Sequence, residues 1–200
     1  TDYSTYELIV LGSKPNSGAS GFTPLKGYNK PMLLLKPFLL KTGVWGWGTA
    51  VNTQDLSIAV KDASHPIFQG LTITGDTLQL FSDCNTNAVT AISEWSISAA
   101  YDFIASPTSQ PTYTTIAEFA AGSECNDVTL QEKMLMIGVS EYSTAFLTDD
   151  GKHLIENAVC YLLGIKNTHT QDTEDILHTA SVLQPVAQKY LRNGQLFILC

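Results

Sequence analysis

The stretch Lys30 to Gly48, KPMLLLKPFLLKTGVWGWG, constrains the fold more than any other. Met32–Leu35 is an unbroken apolar run, which predicts a strand covered on both faces, as in a parallel sheet. Lys36 and Pro37 end it, and a second apolar patch leads to Gly43-Val44-Trp45-Gly46-Trp47-Gly48. Polar and aromatic groups that follow a buried strand sit where open α/β sheets place their ligands. Lys36 is therefore either a residue snorkelling at the sheet edge or an anion-binding group in the crevice. Trp45 and Trp47 straddle Gly46, so in an extended segment both rings share one face. Such a pair reads as an aromatic shelf for a sugar ring, or as a core or subunit contact.

Further strands are expected on either side. Tyr6–Gly12 (YELIVLG) is a short apolar run closed by glycine, and SKPNSGASGFTP after it has the composition of a loop. Leu56–Val60 and Thr77–Phe81 read as strands, and Tyr101–Ala105 as extended. Thr114–Ala120 alternates and pairs naturally with Lys133–Gly138 across the turn-rich GSECNDVTLQE. Ala63–Leu71, ASHPIFQGL, predicts a tight turn with one helical turn packed by Ile67 and Phe68. The clearest helix runs from Thr148 to Gly164. Thr148 or Asp149 caps it, Leu154, Ile155, Ala158, Val159, Leu162 and Leu163 line one face, and Gly164 stops it. Residues 167–182 are polar and read as a linker. Residues 183–200 contain Asn193-Gly194, a hairpin signal, and predict a β-hairpin or the start of a truncated β module.

Two hundred residues with 44% apolar and 15% charged content suit one domain with a full core. The net charge of −8 argues against nucleic acid or an anionic membrane surface, which need clustered Lys and Arg. No apolar run approaches the roughly 18 residues of a membrane span. The chain opens on Thr1 rather than an initiator Met, as a processed or cut chain does. No cysteine pair has C-x-x-C spacing, which argues against zinc and thioredoxin-type chemistry. Cys84 and Cys125 lie in polar, turn-rich contexts, so they are either a disulfide, implying an oxidising compartment, or two free thiols.

Taken together, DLSIAV…HPIFQGL, TTIAEFAAG, EKMLMIGVSEY and LTDDGKHLIENAVCYLLGI resemble the ThuA-like branch of the class I glutamine amidotransferase-like superfamily. His65-Pro66-Ile67 with Gly70-Leu71, and the closing Asn157-Ala158-Val159 and Gly164, are the most specific parts. The resemblance covers Tyr6–Ile165 and implies one domain, residues 1–166, with a flavodoxin-like, three-layer α/β/α fold on a mainly parallel sheet. The strand–helix–strand that usually opens that fold is absent, as in a fragment or a short form. The superfamily's enzymes carry a nucleophile elbow after the central strand, but here that position holds Lys36-Pro37. The tail YLRNGQLFIL is similar to the start of C-terminal modules on secreted proteins of Bacteroidetes. This similarity implies a secreted or periplasmic protein, and with it pairing of Cys84 with Cys125.

The candidate binding residues are Lys36, Trp45, Trp47, His65 and Glu141. Glu141 follows the Lys133–Gly138 strand as Lys36 follows its own. His65 precedes Pro66 in a turn that the resemblance marks as structural. No catalytic set, cofactor or metal site is implied, since spacing alone does not bring His65 to Asp83 or Glu141. Two functions are expected: a non-catalytic domain binding carbohydrate or a protein partner, or an enzyme on a sugar or similar polar substrate using Glu141, His65 or Asp83. The enzyme requires at least two of these groups to converge on one pocket.

Overall fold

The structure, a computed structural model, describes residues 5–14, 16–18, 20–165 and the strand 195–199. Its strands are β1 (Tyr6–Leu11), β2 (Met32–Leu34), β3 (Gly48–Thr53), β4 (Ser57–Val60), β5 (Thr77–Gln79), β6 (Val89–Trp95), β7 (Asp102–Pro107), β8 (Ile116–Phe119), β9 (Glu124–Cys125), β10 (Val128–Thr129), β11 (Met134–Ile137) and β12 (Gln195–Leu199). The α-helix, α1, spans Asp149–Leu162. The expected linker at 167–182 and the Asn193-Gly194 turn lie outside the described residues.

Eight strands form one sheet in the order β12-β1-β2-β11-β8-β7-β4-β5. Pairing is parallel from β12 through β1 and β2 to β11, and antiparallel from β11 through β8, β7 and β4 to β5. Residues 61–76, which include the Pro66–Phe68 turn, return the chain from β4 to its antiparallel neighbour β5, and residues 108–115 return it from β7 to β8. Parallel pairing is confined to strands that are distant in sequence or joined by irregular crossovers.

The two faces of this sheet are covered differently. On one, Leu8, Val10, Leu33, Leu135 and Ile137 pack against Leu154, Ala158 and Leu162 of α1 and against Ile67 and Phe68 of the short 3-10 turn Pro66–Phe68. Thr148 caps α1, its hydroxyl accepting from the Gly151 N–H at 2.9 Å. At the other end, Gly164 takes φ 64°. Its N–H bonds the Tyr161 carbonyl and the Ile165 N–H the Cys160 carbonyl, a Schellman ending.

On the other face, Ile9, Leu11, Leu34, Met134, Met136 and Phe119 meet Leu39, Leu40, Trp45 and Trp47. The cover there is the 3-10 turn Pro37–Leu40 and the antiparallel ribbon of β3 and β6. The expected three-layer α/β/α, flavodoxin-like architecture is thus overturned. The chain is sheet-rich, with one α-helix among the described residues and a mixed rather than mainly parallel sheet. The physical reason lies in the connections. The β1–β2 link, rich in Gly, Ser and Pro, makes only a 3-10 turn, and the segments that would supply the second helical layer, GTAVNT and VTAISEW, carry β-branched and aromatic residues that favour strands. Among the described residues no helix is long and apolar enough to cross a membrane.

Two further expectations are corrected. Trp45 and Trp47 are 2% and 0% exposed, so they form no shelf. Gly43 and Gly46 take φ of 87° and 73°, a left-handed geometry that glycine adopts freely. The segment is therefore turned rather than extended, and it folds both rings inward. Their centroids lie 5.3 Å apart, and Trp47 continues onto Phe119 at 5.9 Å, which in turn meets Trp95 and Tyr101. The Trp45 indole N–H donates to the Phe22 carbonyl at 3.2 Å. Cys84 and Cys125 are not paired. Both thiols are free and belong to different faces, Cys84 packing against the helix side and Cys125 within the aromatic side.

Because Trp47 is fully enclosed, Trp47→Ala should cost about 3–5 kcal/mol of stability in denaturant unfolding. Burial pushes the Cys125 thiol up to about 11 against the opposing pull of Lys26. Alkylation of native protein at neutral pH, followed by peptide mapping, should leave Cys125 unmodified as a free thiol while the denatured chain reacts there.

Candidate functional site

The three parallel strands β1, β2 and β11 are buried on both faces, so polar side chains gather beyond their ends. Ser13–Ser17 follow β1, Lys36 follows β2 and Glu141 follows β11. Pro37 keeps Lys36 out of the helical region, at φ −124° and ψ 77°. Its neighbours are fixed by the Leu35 N–H on the Leu11 carbonyl, 2.8 Å, and the Leu39 N–H on the Lys36 carbonyl, 2.9 Å. The Lys36 stem is enclosed, leaving the residue 8% exposed, and its ammonium donates to Glu141 Oε2 at 2.7 Å.

Glu141 is placed by an unusually close backbone approach at Gly138. A Cβ there would lie 1.7 Å from the Thr90 carbonyl oxygen, so only glycine fits. The Thr90 N–H donates to the Gly138 carbonyl at 3.2 Å and the Ser140 N–H to the Ala88 carbonyl at 3.0 Å. The turn after β11 is thereby laid against β6, with Glu141 and Tyr142 projecting from it. Tyr142 is the most exposed large apolar side chain among the described residues, at 53%.

These residues line a shallow cleft of roughly 380 Å³ with Lys14, Asn16, Ser17, Phe38 and Asn52. The Asn16 side-chain oxygen accepts from the Gly18 N–H at 2.9 Å, and that of Asn52 from the Thr90 hydroxyl at 2.8 Å. In each side chain the amide nitrogen is the end not used in that bond. The lining holds no His or Cys.

His65 is elsewhere. Its Nδ1 accepts from the Ile67 N–H at 3.4 Å, capping the Pro66–Phe68 turn, which leaves Nε2 to donate to Glu118 Oε2 at 3.2 Å. Glu118 Oε1 accepts from the Tyr161 hydroxyl at 3.1 Å and pairs with the Lys133 ammonium at 3.1 Å, while Lys133 also reaches the Tyr161 oxygen at 2.5 Å. Asn157 of α1 donates to the Ile67 and Gln69 carbonyls, both at 2.9 Å, pinning helix to turn. Glu118 faces Leu135 across the sheet and Lys133 precedes β11, so this network lies at the N-terminal end of β11 and Glu141 beyond its C-terminal end. Asp83 is in the loop after β5, where its carboxylate accepts from the Cys84 N–H at 2.7 Å. The structure therefore joins Lys36 to Glu141 but does not bring His65, Asp83 and Glu141 together. Among the described residues no three His, Cys, Asp or Glu side chains converge as metal ligands would.

Sequence reading missed Glu118, Asn52 and Tyr142, whereas Asn16 belongs to the stretch Ser13–Asn16 that it placed at the end of the first strand. Glu118 alone left a signal, as a charged residue inside the apolar run TTIAEFA. Burial alone would raise the Glu118 carboxyl, but hydrogen bonds from His65, Lys133 and Tyr161 and the Lys133 charge outweigh it and hold it below its ordinary value. Burial opposes the charge on Lys133, yet its bonds to Tyr161 and Glu118 raise it.

No protein family is matched by the chain, and no curated protein is matched either. Among solved structures, the chain is similar to a cytoplasmic protein from Salmonella typhimurium. The two share 10% identity and a TM-score of 0.49 over 78% of this chain and 72% of that one.

A carboxyl held low in the folded state stabilises above its unfolded value, near 4.5, and that contribution fades as pH falls through the folded value. Glu118→Gln should therefore cost about 1–3 kcal/mol at neutral pH. The gap to wild type should narrow as pH falls below about 4.5. Urea unfolding at both pH values checks this, and a pH-independent gap would mean that Glu118 acts through packing alone.

Proposed function

We propose that this chain is a non-catalytic binding domain that takes a carbohydrate in the Lys36–Glu141 cleft. The observation that carries this reading is the meeting of two side chains 105 residues apart, at 2.7 Å, in a cleft otherwise lined by amide, hydroxyl and aromatic groups and by Lys14. The volume falls at the lower end of the range for small-ligand sites. A sugar hydroxyl both donates and accepts, and the cleft offers amide N–H donors beside a carboxylate acceptor. With Trp45 and Trp47 in the core, the exposed aromatic face is that of Tyr142, next to Glu141, with Phe38 across the cleft. Such a ring covers the apolar face of a sugar while its hydroxyl stays wet.

The absence of histidine and cysteine from the lining supports binding over catalysis. A nucleophile such as Ser17 would need a base within reach, and the one carboxylate is engaged by Lys36. The resemblance of His65-Pro66-Ile67 and Gly70-Leu71 to ThuA-like proteins, a family tied by name to trehalose use, points toward sugars as well.

A glycan-array screen of the full chain should return hits, and Tyr142→Ala should weaken them by about 0.5–1.5 kcal/mol. Because Tyr142 is half exposed, its removal should leave the melting temperature nearly unchanged. An array without hits, or hits indifferent to Tyr142→Ala and Asn52→Ala alike, would sink the assignment of a sugar to this cleft.

A further inference from the structure

We propose that the ligand of this cleft is an acidic carbohydrate, whose carboxylate takes the Lys36 ammonium in place of Glu141. The proposal rests on the carbohydrate reading above and names the class of sugar. Lys36 is nearly enclosed, and among the described residues its one recorded hydrogen bond goes to Glu141. A buried ammonium stripped of its partner is strongly destabilised, so whatever moves Glu141 aside must itself bring a negative charge. Glu141 can move, since its side chain is 32% exposed and it sits in a turn beyond the sheet.

The remaining walls favour the same class. Asn16 and Asn52 have their oxygens committed to Gly18 and Thr90, so their NH₂ groups are what each has to offer a ligand. Lys14 adds a second ammonium at the rim. Once Glu141 is displaced, the ligand meets two ammonium groups and two amide donors with no fixed carboxylate against them. This donor surplus lies in a chain that carries 19 acidic against 11 basic residues, so it is a local reversal of the protein's own charge. Charge-assisted hydrogen bonds are about twice as strong as neutral ones, which sets the sign of the preference. The exchange breaks no covalent bond: one carboxylate replaces another on Lys36, and Glu141 passes to water.

Calorimetric titration of the full chain with sodium galacturonate against galactose, and sodium glucuronate against glucose, tests this. Each uronate should bind about tenfold or more tightly than its neutral counterpart, as one added charge-assisted contact predicts. Added salt should shrink that preference. Glu141→Gln, which releases the ammonium without emptying the site, should raise uronate affinity several-fold, and Lys14→Gln, at an exposed position, should lower it. Equal affinity within each pair, or binding confined to the neutral sugars, overturns the acidic-ligand proposal and leaves the carbohydrate reading standing. An unchanged uronate affinity in Glu141→Gln overturns the exchange step. Binding of none of the four sugars, together with an empty glycan array, overturns both readings.

Discussion

The structure depends on enclosing three parallel strands from both sides. Alternate residues of β1, β2 and β11 point to opposite faces, so Leu8, Val10, Leu33 and Leu135 need one cover and Ile9, Leu11, Leu34, Met134 and Met136 need another. The helix α1 and the Pro66–Phe68 turn supply the first. The second comes from a ribbon of two strands and a cluster of large aromatics, Trp45, Trp47, Trp95, Tyr101 and Phe119. Aromatic rings bury more area per residue than aliphatic side chains, so few residues can close a face that other α/β proteins close with helices. With both faces dry, polar side chains can collect only beyond the strand ends. That constraint puts Lys36 and Glu141 beside each other although nothing in the chain between them requires it.

One close contact aligns the cleft with the core. Gly138 ends β11 against the Thr90 carbonyl, and the Thr90 hydroxyl holds the Asn52 amide. Two walls thus meet through Thr90 of β6: Glu141 comes from the turn after Gly138, and Asn52 from β3. Lys36 is tied to the same region because Pro37, next to it, packs at 3.4 Å from the place a Gly138 side chain would occupy. A shift of the β3–β6 ribbon would therefore change the spacing of Asn52 from Glu141, and with it what the cleft can hold.

Much of the parallel half was legible from residues alone. YELIVL, MLL and MLMI are apolar without alternation, and each is a strand of the sheet. The alternation of TTIAEFA predicted β8 and its antiparallel pairing with β11. The ribbon was not legible. VTAISEW leaves β6 with some residues on each core face, Val89 toward the helix and Ile92 toward the aromatics, so no simple period marks it. An extended reading of the Trp45-Gly46-Trp47 stretch allowed a shelf with both rings on one face, but the positive φ values of Gly43 and Gly46 turn the segment and the rings inward. For the site, each half of the Lys36–Glu141 pair was marked by the strand before it, and their meeting was not. Asn52 and Tyr142 carry no local signal, because what distinguishes them is position in space. The Cys84–Cys125 pairing failed because polar flanking residues describe the turns and say nothing of which sheet face a thiol enters.

The two ion-pair clusters differ in a way that separates structure from binding. At Glu118 the network is closed: both carboxylate oxygens are engaged, by His65 on one side and by Tyr161 and Lys133 on the other, and Lys133 and Tyr161 also bond each other. Every group there belongs to an element that must be held, the Pro66–Phe68 turn, β8, the entry to β11 and α1. A ligand entering it would break more hydrogen bonds than it could replace. At Lys36 the network is open. Among the described residues its ammonium donates to one carboxylate that is a third exposed, and the neighbouring Asn16 and Asn52 amides accept through their oxygens. A buried ammonium offers three N–H donors, and each one left without an acceptor costs more than a satisfied bond gains. The open pair can therefore exchange its acceptor for one on a ligand, which the closed network cannot do without losing several bonds.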